Sequence, residues 1–153
     1  MPAHQIHVTG ASAAPPSAVF ALIADVDTWS QWGTWVSSGL ESPDPQGGGG
    51  VGAVRRLTSK TLGSTVVSRE RVLELVPDRR LVYTLLSGLP LEGYVGRVEL
   101  EPDGQGGTRL VWASSFDARY PGTGWFYVLI LRWFIGETLR AVARAAEAGR
   151  VAA

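Results

Sequence analysis

The chain has 153 residues, of which 45% are hydrophobic and 18% charged, which is typical of one globular domain with a buried core. Its 14 basic and 14 acidic residues balance, so no net charge attracts nucleic acid or an anionic membrane. Cysteine is absent, which excludes disulfides, thiol catalysis and thiolate metal sites and fits a reducing compartment. We therefore expect a single domain over residues 1–153.

The N-terminus carries neither the basic segment nor the hydrophobic core of a signal peptide. The longest apolar run, residues 125–131, is far shorter than the roughly 20 residues that cross a bilayer. These features predict a cytoplasmic protein without a transmembrane segment.

The first elements are a strand and two short helices. Residues 4–10 alternate, with Ile6 and Val8 on one face, which predicts a strand. Ala14-Pro15-Pro16 begins a helix, because proline is tolerated in a first turn where its missing N–H is not needed. Asp27 can cap a second short helix over residues 28–32, which ends at Gly33. The buried face of the first helix is expected at Val19, Leu22, Ile23 and Val26.

About six strands follow. They are predicted at residues 35–40, 52–59, 64–75, 81–87, 91–101 and 108–117, with a loop rich in proline and glycine at residues 42–50. The separators are short turn sequences: Leu62-Gly63, Pro77-Asp78, Gly88-Leu89-Pro90 and residues 103–107. Short turns join neighbouring strands as antiparallel hairpins, so we expect an antiparallel sheet.

A long helix ends the chain. From residue 124 to about residue 148 no proline interrupts, and Val128, Leu131, Ile135, Leu139 and Val142 recur at steps of three and four. This spacing gives one apolar stripe on a helix of about 25 residues, roughly 38 Å long. The stripe has to be buried against the sheet, which predicts an α+β fold that grips the helix. If the sheet curves away from the helix, an apolar chamber for a small molecule lies between them.

Several short motifs join these elements. They are Ala14-Pro15-Pro16, VFALI at 19–23, DTWSQW at 27–32, GVG at 50–52, the Glu70 strand ending at Pro77, Gly88-Leu89-Pro90 and GTRLVW at 107–112. In this order, and with the C-terminal helix, they resemble the START-like superfamily of birch-pollen-allergen and lipid-transfer folds. Within it the chain is most similar to the bacterial polyketide cyclase/dehydrase group (SRPBCC).

The resemblance implies a helix-grip fold, in which a curved antiparallel sheet of six to seven strands wraps around the C-terminal helix. It also implies a deep hydrophobic cavity for a lipid, polyketide, hormone or other aromatic or aliphatic molecule. Many members of the group are binders with no demonstrated reaction, so family membership alone does not decide between binding and catalysis.

Aromatic side chains are the main candidates for the cavity wall. Trp112 shares a strand face with Leu110 and Phe116, and the neighbouring strand offers Tyr94 and Val98. A flat ligand can stack on such rings, although ordinary core packing explains them as well. The predicted ligand-binding residues are Trp35, Tyr83, Tyr94, Val98, Leu110, Trp112, Phe116, Val128, Leu131 and Ile135.

The catalytic candidates are Glu70, Tyr83 and Tyr94. A buried phenol can orient a ligand carbonyl or donate a proton, or it can simply bond to the backbone. Strand alternation directs either Ser68, Glu70 and Val72 or Arg69, Arg71 and Leu73 inward. An inward Glu70 would have a raised pKa suited to general acid–base work, and an inward arginine would hold an anion or a carbonyl. The alternative is a solvated outer face of charges.

Metal and phosphate sites are not expected. His4 and His7 are the only histidines, and both lie in the first strand, so neither a metal cluster nor a Ser-His-Asp triad is indicated. The glycine-rich residues 47–52 lack the GK[ST] ending of a phosphate loop and do not begin a helix. They predict a flexible lip beside the cavity. We expect no cofactor.

Three functions remain open. The first is a binder of a hydrophobic small molecule, such as a lipid, polyketide or aromatic metabolite. The second is a cyclase, aromatase or dehydratase in which Tyr83, Tyr94 or Glu70 moves protons. The third is a dimerisation or membrane-docking module, because Phe126 and Trp133 lie off the buried stripe of the last helix and need cover. We expect a monomer or homodimer that does not bind nucleic acid.

Overall fold

The computed structural model describes residues 2–61 and 63–152, and the predicted Leu62 turn position lies outside them. The first part contains β1 (His4–Ser12), α1 (Pro16–Ala24), a 3-10 turn (Val26–Thr28), α2 (Trp29–Trp32) and β2 (Ser37–Ser42). It continues with β3 (Val54–Thr61), β4 (Ser64–Val76), β5 (Arg80–Ser87), β6 (Leu91–Pro102), β7 (Thr108–Ala118) and α3 (Gly124–Ala152).

The seven strands form one antiparallel sheet in the order β1-β7-β6-β5-β4-β3-β2. Strands β2 to β7 follow one another as hairpin neighbours, and β1 joins the sheet beside β7. Helix α3 packs across the sheet, and α1 and α2 cover one side. The predicted α+β helix-grip fold is confirmed.

Strand alternation sets the inner face of the sheet. Val98 pairs with Trp112 across β6 and β7, and both are buried together with their neighbours two residues along. The predicted cap of the second helix by Asp27 is wrong, because Thr28 stands at the N-cap of α2 and makes no side-chain capping bond there. The Asp25 carboxylate instead caps the 3-10 turn before it and accepts a hydrogen bond from the Asp27 N–H at 3.1 Å. The short helix α2 and the residues just after it place three tryptophans, Trp29, Trp32 and Trp35, at the edge of the core.

The C-terminal half of α3 packs tightly against β1. A Cβ atom at Gly10 would lie 2.3 Å from Leu139 Cδ2, so the glycine is what lets the helix approach. Ser12 Oγ donates a hydrogen bond to the Ala143 carbonyl oxygen at 2.9 Å. The N-terminal half of α3 lies over the other part of the sheet, where the packing is incomplete. In the described part of the chain, no helix combines the length and the hydropathy needed to cross a bilayer.

Candidate ligand cavity

A cavity of about 510 Å³ lies between the N-terminal half of α3 and the inner face of β3 to β7. Its wall is mostly apolar and aromatic. The sheet side and the short helices contribute Trp29, Thr34, Trp35, Leu57, Ser59, Lys60, Val66, Ser68, Glu70, Tyr83, Leu85, Leu89, Tyr94 and Trp112. Helix α3 contributes Phe126, Tyr127, Ile130, Leu131, Trp133, Phe134, Ile135 and Thr138.

A cluster of tryptophans forms one end of the cavity. The ring centre of Trp29 lies 5.1 Å from that of Trp35 and 5.9 Å from that of Trp112. Trp35 meets Phe134 of α3 edge to face at 5.6 Å, which ties the short helices to the long one. Such tilted and edge contacts between rings stabilise by about 0.5–1.5 kcal/mol each beyond burial. Trp32 packs behind this cluster and does not line the cavity.

The hydroxyl of Tyr83 is held in the wall by an indole. Trp112 Nε1 donates a hydrogen bond to Tyr83 Oη at 3.0 Å. Tyr83 lies opposite Gly96 in the β5–β6 register, and its ring lies across the glycine, since a Cβ atom at residue 96 would be 2.2 Å from Tyr83 Cζ. The oxygen accepts a hydrogen bond from the indole N–H, so the Tyr83 O–H is available to donate to the neighbouring Tyr94 hydroxyl or to an acceptor bound in the cavity.

Burial keeps both cavity tyrosines protonated. Loss of solvent, with smaller contributions from Tyr94 and Glu70, raises the pKa of Tyr83 well above that of free tyrosine. Burial also raises the pKa of Tyr94 to about 12, although its hydrogen bond with Ser114 Oγ at 2.8 Å acts in the opposite direction. At neutral pH both side chains are therefore neutral phenols.

A buried ion pair lies beneath the wall. Arg55 on β3 is 1% exposed, and its Nη2 donates to Glu70 Oε1 at 2.8 Å. The guanidinium lies 4.4 Å from the centre of the Trp29 ring, and Arg55 Nη1 approaches the Ile23 carbonyl oxygen at the end of α1 at 3.5 Å. Among the described residues, the buried Arg55 Nε has no hydrogen-bond partner.

Glu70 is the member of this pair that reaches the cavity, whereas Arg55 lies behind it. Burial raises the pKa of Glu70, and the positive charge of Arg55 offsets this effect only in part. The carboxyl group is thus held in place by a cation on one side and borders an apolar space on the other. This arrangement can accept a proton or a hydrogen bond from a molecule in the cavity.

Strand alternation left open which residues of β4 face the inside of the sheet, and the structure decides this. Ser68 and Glu70 line the cavity and Val72 is buried. The other three residues, Arg69, Arg71 and Leu73, lie on the outer face.

Six of the ten predicted ligand-binding residues lie in the cavity wall: Trp35, Tyr83, Tyr94, Trp112, Leu131 and Ile135. The other four do not. Val98 and Leu110 are buried where α1 and α3 cover the sheet, and Phe116 is packed between the rings of His4 and Tyr94. Val128 is only partly buried and packs against the core beside the cavity. Strand alternation predicts which face of the sheet a residue lies on. It does not predict how far that residue lies from the helix that covers the sheet, and this distance decides whether it lines the cavity or is packed in the core.

The sequence reasoning missed Arg55. The sequence pattern could have revealed it, because Ala53, Arg55 and Leu57 are spaced by two residues along the strand and therefore share one face. If Leu57 points into the core, Arg55 must do so as well. It also missed part of the α3 wall, where Tyr127, Phe134 and Thr138 lie beside the predicted stripe.

A family model described as "Polyketide cyclase / dehydrase and lipid transport" matches residues 3–149. The chain belongs to this family. The START-like resemblance seen in the sequence is confirmed, and solved structures of similar proteins share the fold. No curated protein sequence gives a significant match.

Three solved structures illustrate the similarity. A START superfamily protein from Mycobacterium smegmatis is 21% identical, with 97% of each chain covered and a TM-score of 0.73. The Zhui aromatase/cyclase from Streptomyces sp. R1128 is 20% identical, with 94% of this chain and 93% of that chain covered and a TM-score of 0.75. Ara h 8.0201 is also 20% identical, with coverage of 95% and 98% and a TM-score of 0.75. At these identities the similarity concerns the fold.

Proposed function

We propose that this protein binds a neutral, ring-containing hydrophobic small molecule in the cavity between the sheet and α3. The observation that carries the proposal is a cavity of about 510 Å³ whose wall is aromatic and apolar with a few polar groups on the sheet side. Small-molecule sites in proteins are commonly concave spaces of roughly 300–1,000 Å³ with this composition. Membership of a family described by cyclase, dehydrase and lipid-transport activities supports the same class of ligand.

The charges of the wall favour a neutral ligand. Among the described residues, Glu70 is the only acidic and Lys60 the only basic side chain of the wall, and Lys60 is exposed. An anionic ligand would lose its hydration and would also meet the carboxylate of Glu70. A neutral hydroxyl or carbonyl group can instead donate to Glu70 or accept from the Tyr83 O–H. The proposed ligand is therefore an oxygen-bearing aromatic or polycyclic molecule.

A matched pair of probes tests this proposal. We expect 2-naphthol to raise the melting temperature and to quench tryptophan fluorescence, and 2-naphthoate, which is anionic at neutral pH, to bind at least about tenfold more weakly because it repels Glu70. A Leu131→Trp variant, which fills the cavity, should lose the response to 2-naphthol. Leu73→Trp on the outer face of β4 is the matched control and should keep it. Equal binding of both probes, or unchanged binding by Leu131→Trp, would contradict the proposal.

A second candidate function is proton transfer to a ketone in the same cavity. The observation that favours it is the presence of two groups with raised pKa in one wall, the Tyr83 phenol and the Glu70 carboxyl. The Tyr83 O–H can donate to a carbonyl oxygen while the carboxylate of Glu70 removes a proton from the adjacent carbon, which gives the enol needed for cyclisation or dehydration.

Hydrogen–deuterium exchange of 1-tetralone measures that step. In D₂O we expect the folded protein to accelerate exchange at the carbon next to the carbonyl, and Glu70→Gln and Tyr83→Phe to slow it about 100-fold or more. Binding of 2-naphthol reports whether each variant still folds and keeps its cavity. Exchange at the buffer rate with the unmodified protein would remove this second function and leave binding alone.

A further inference from the structure

We propose that the outer face of the first turns of α3 is a docking surface for anionic lipid bilayers, and that the protein exchanges its ligand with the membrane there. The surface is formed by Trp125, Phe126, Leu129 and Trp133, called here the aromatic rim. This docking surface rests on the proposed binding of a ligand in the cavity and goes beyond it, because it identifies the membrane as the place from which the ligand enters the cavity and into which it is released.

The aromatic rim is exposed and continuous. Trp125, Leu129 and Trp133 are spaced by four residues, so they lie along one helix face, and they are 63%, 57% and 65% exposed. A surface helix normally presents polar residues on the face opposite its buried stripe. Here that face is apolar, apart from Arg132, until Glu137 and Arg140, and tryptophan is the side chain that best suits a membrane–water interface.

The rim is also the mouth of the cavity. Phe126 and Trp133 are exposed to solvent and at the same time line the cavity, and Ile130 lies between them in the wall. An apolar ligand that leaves the cavity at this point passes the aromatic rim first. With the rim seated in a bilayer interface, the ligand moves between two apolar phases without crossing water, which removes the free-energy cost of exposing its surface.

The charges around the rim favour an anionic surface. Residues 118–136 contain Arg119 and Arg132 and no acidic residue, and the β3–β4 hairpin adds the exposed Lys60. Arg132 makes no ion pair among the described residues. The acidic groups at this end are Asp117, which accepts a hydrogen bond from the Ala3 N–H at 2.8 Å, Glu92, which lies 3.9 Å from Arg119, and Glu137, which pairs with Arg140.

The opposite end of the sheet carries the acidic turns. Asp44, Asp78 and Asp103 lie in the connections β2–β3, β4–β5 and β6–β7, which antiparallel topology places away from the mouth. Arg79 lies beside Asp78 in the β4–β5 connection, so charges of both signs are present at that end, and the orientation of the mouth towards an anionic membrane rests on Arg132 and Lys60 beside it.

A second copy of this chain fits the rim less well. A two-fold interface brings the same patch of both copies together, so it would place the cations around the rim near their own equivalents. It would also close the cavity mouth on both copies. The aromatic rim with surrounding lysine and arginine is complementary to a surface of phosphate headgroups over hydrocarbon.

Vesicle sedimentation tests the proposal. We expect the protein to sediment with vesicles of phosphatidylcholine and phosphatidylglycerol, with a partition coefficient about tenfold above that for phosphatidylcholine alone. The double variant Trp125→Ser/Leu129→Ser removes rim residues outside the cavity wall and should lose at least about tenfold in partitioning while binding 2-naphthol normally. Val51→Ser/Leu73→Ser, which removes exposed apolar residues elsewhere, is the matched control and should partition as the unmodified protein does.

Three results would overturn the proposal. They are absence of sedimentation with anionic vesicles, equal partitioning onto neutral vesicles, and a concentration-dependent dimer in analytical ultracentrifugation that the rim double variant abolishes. Binding of 2-naphthol is measured separately, so failure to dock on vesicles is distinguishable from failure of the cavity to bind a ligand.

Discussion

The two halves of α3 meet the same sheet in different ways. In the C-terminal half, small residues at Ala143 and Ala146 and a glycine at position 10 of β1 allow the helix to touch the sheet. In the N-terminal half, Phe134 of the helix faces large rings such as Trp112 of the sheet. Large side chains on both sides hold the helix away from the strands, and the space they do not fill becomes the cavity. The size of facing residues thus decides which part of one helix is core and which part is a binding wall.

The largest contrast is expected between two leucines of the same helix. Leu139 is buried against Gly10, and Leu139→Ala should lower the free energy of unfolding by about 3 kcal/mol or more, since it removes a buried side chain and leaves a void. Leu131 already borders the cavity, so Leu131→Ala should cost roughly half as much, because little new void is created. Urea unfolding measures both values. Equal losses would show that the two halves are packed alike.

The phenols of the N-terminal half make stability depend on high pH. Tyr94 has a pKa of about 12 in the folded protein against about 10 in the unfolded chain. The folded state therefore keeps a proton that the unfolded state releases. This stabilisation is complete below about pH 10 and is lost as the pH rises towards 12, by roughly 2–3 kcal/mol for Tyr94.

Urea unfolding between about pH 9 and pH 12 measures this loss. Tyr94→Phe should reduce the pH dependence but not abolish it, because the pKa of Tyr83 is raised as well. A variant with the same pH dependence as the unmodified protein would show that Tyr94 is accessible to water.

The sequence predicted the elements better than the cavity. Alternation and turn residues predicted the antiparallel strands, and the stripe from Val128 to Val142 predicted the long helix, because both patterns depend only on local periodicity. The cavity wall depends on how far α3 stands from each strand, and this distance is set by pairs of residues remote in sequence. Val98 was therefore predicted for the wall and lies in the core.

Arg55 shows that local sequence patterns are equally insufficient for predicting buried ion pairs. Alternation was sufficient to direct it inward, but its partners come from three separate elements: Glu70 on β4, Trp29 on α2 and the carbonyl of Ile23 at the end of α1. A buried arginine is tolerated only with such partners. They become visible only when the elements are brought together.

Gly96 allows a further test of how the sheet shapes the cavity. Gly96→Ala places a methyl group where the Tyr83 ring now lies, so the ring must move and the Trp112–Tyr83 hydrogen bond is lost. We expect a loss of about 1–3 kcal/mol in urea unfolding and a shift of the Trp112 indole N–H resonance. In the double variant Gly96→Ala/Tyr83→Val the clash is gone, so the two losses should be less than additive. Strict additivity would mean that the ring does not press on residue 96.

The smallest effect on stability is expected on the outer face of the N-terminal half. Trp125 is mostly exposed, and the ring contact described for it is with Phe126 on the same helix, at 6.1 Å. A side chain that buries little surface within its own chain stabilises little, so Trp125→Ser should change the free energy of unfolding by less than about 0.5 kcal/mol. The same substitution should still weaken vesicle binding, because there the indole is buried by lipid. A loss of more than about 1 kcal/mol in urea would instead mean that Trp125 packs against its own chain, and the rim would no longer be a free surface.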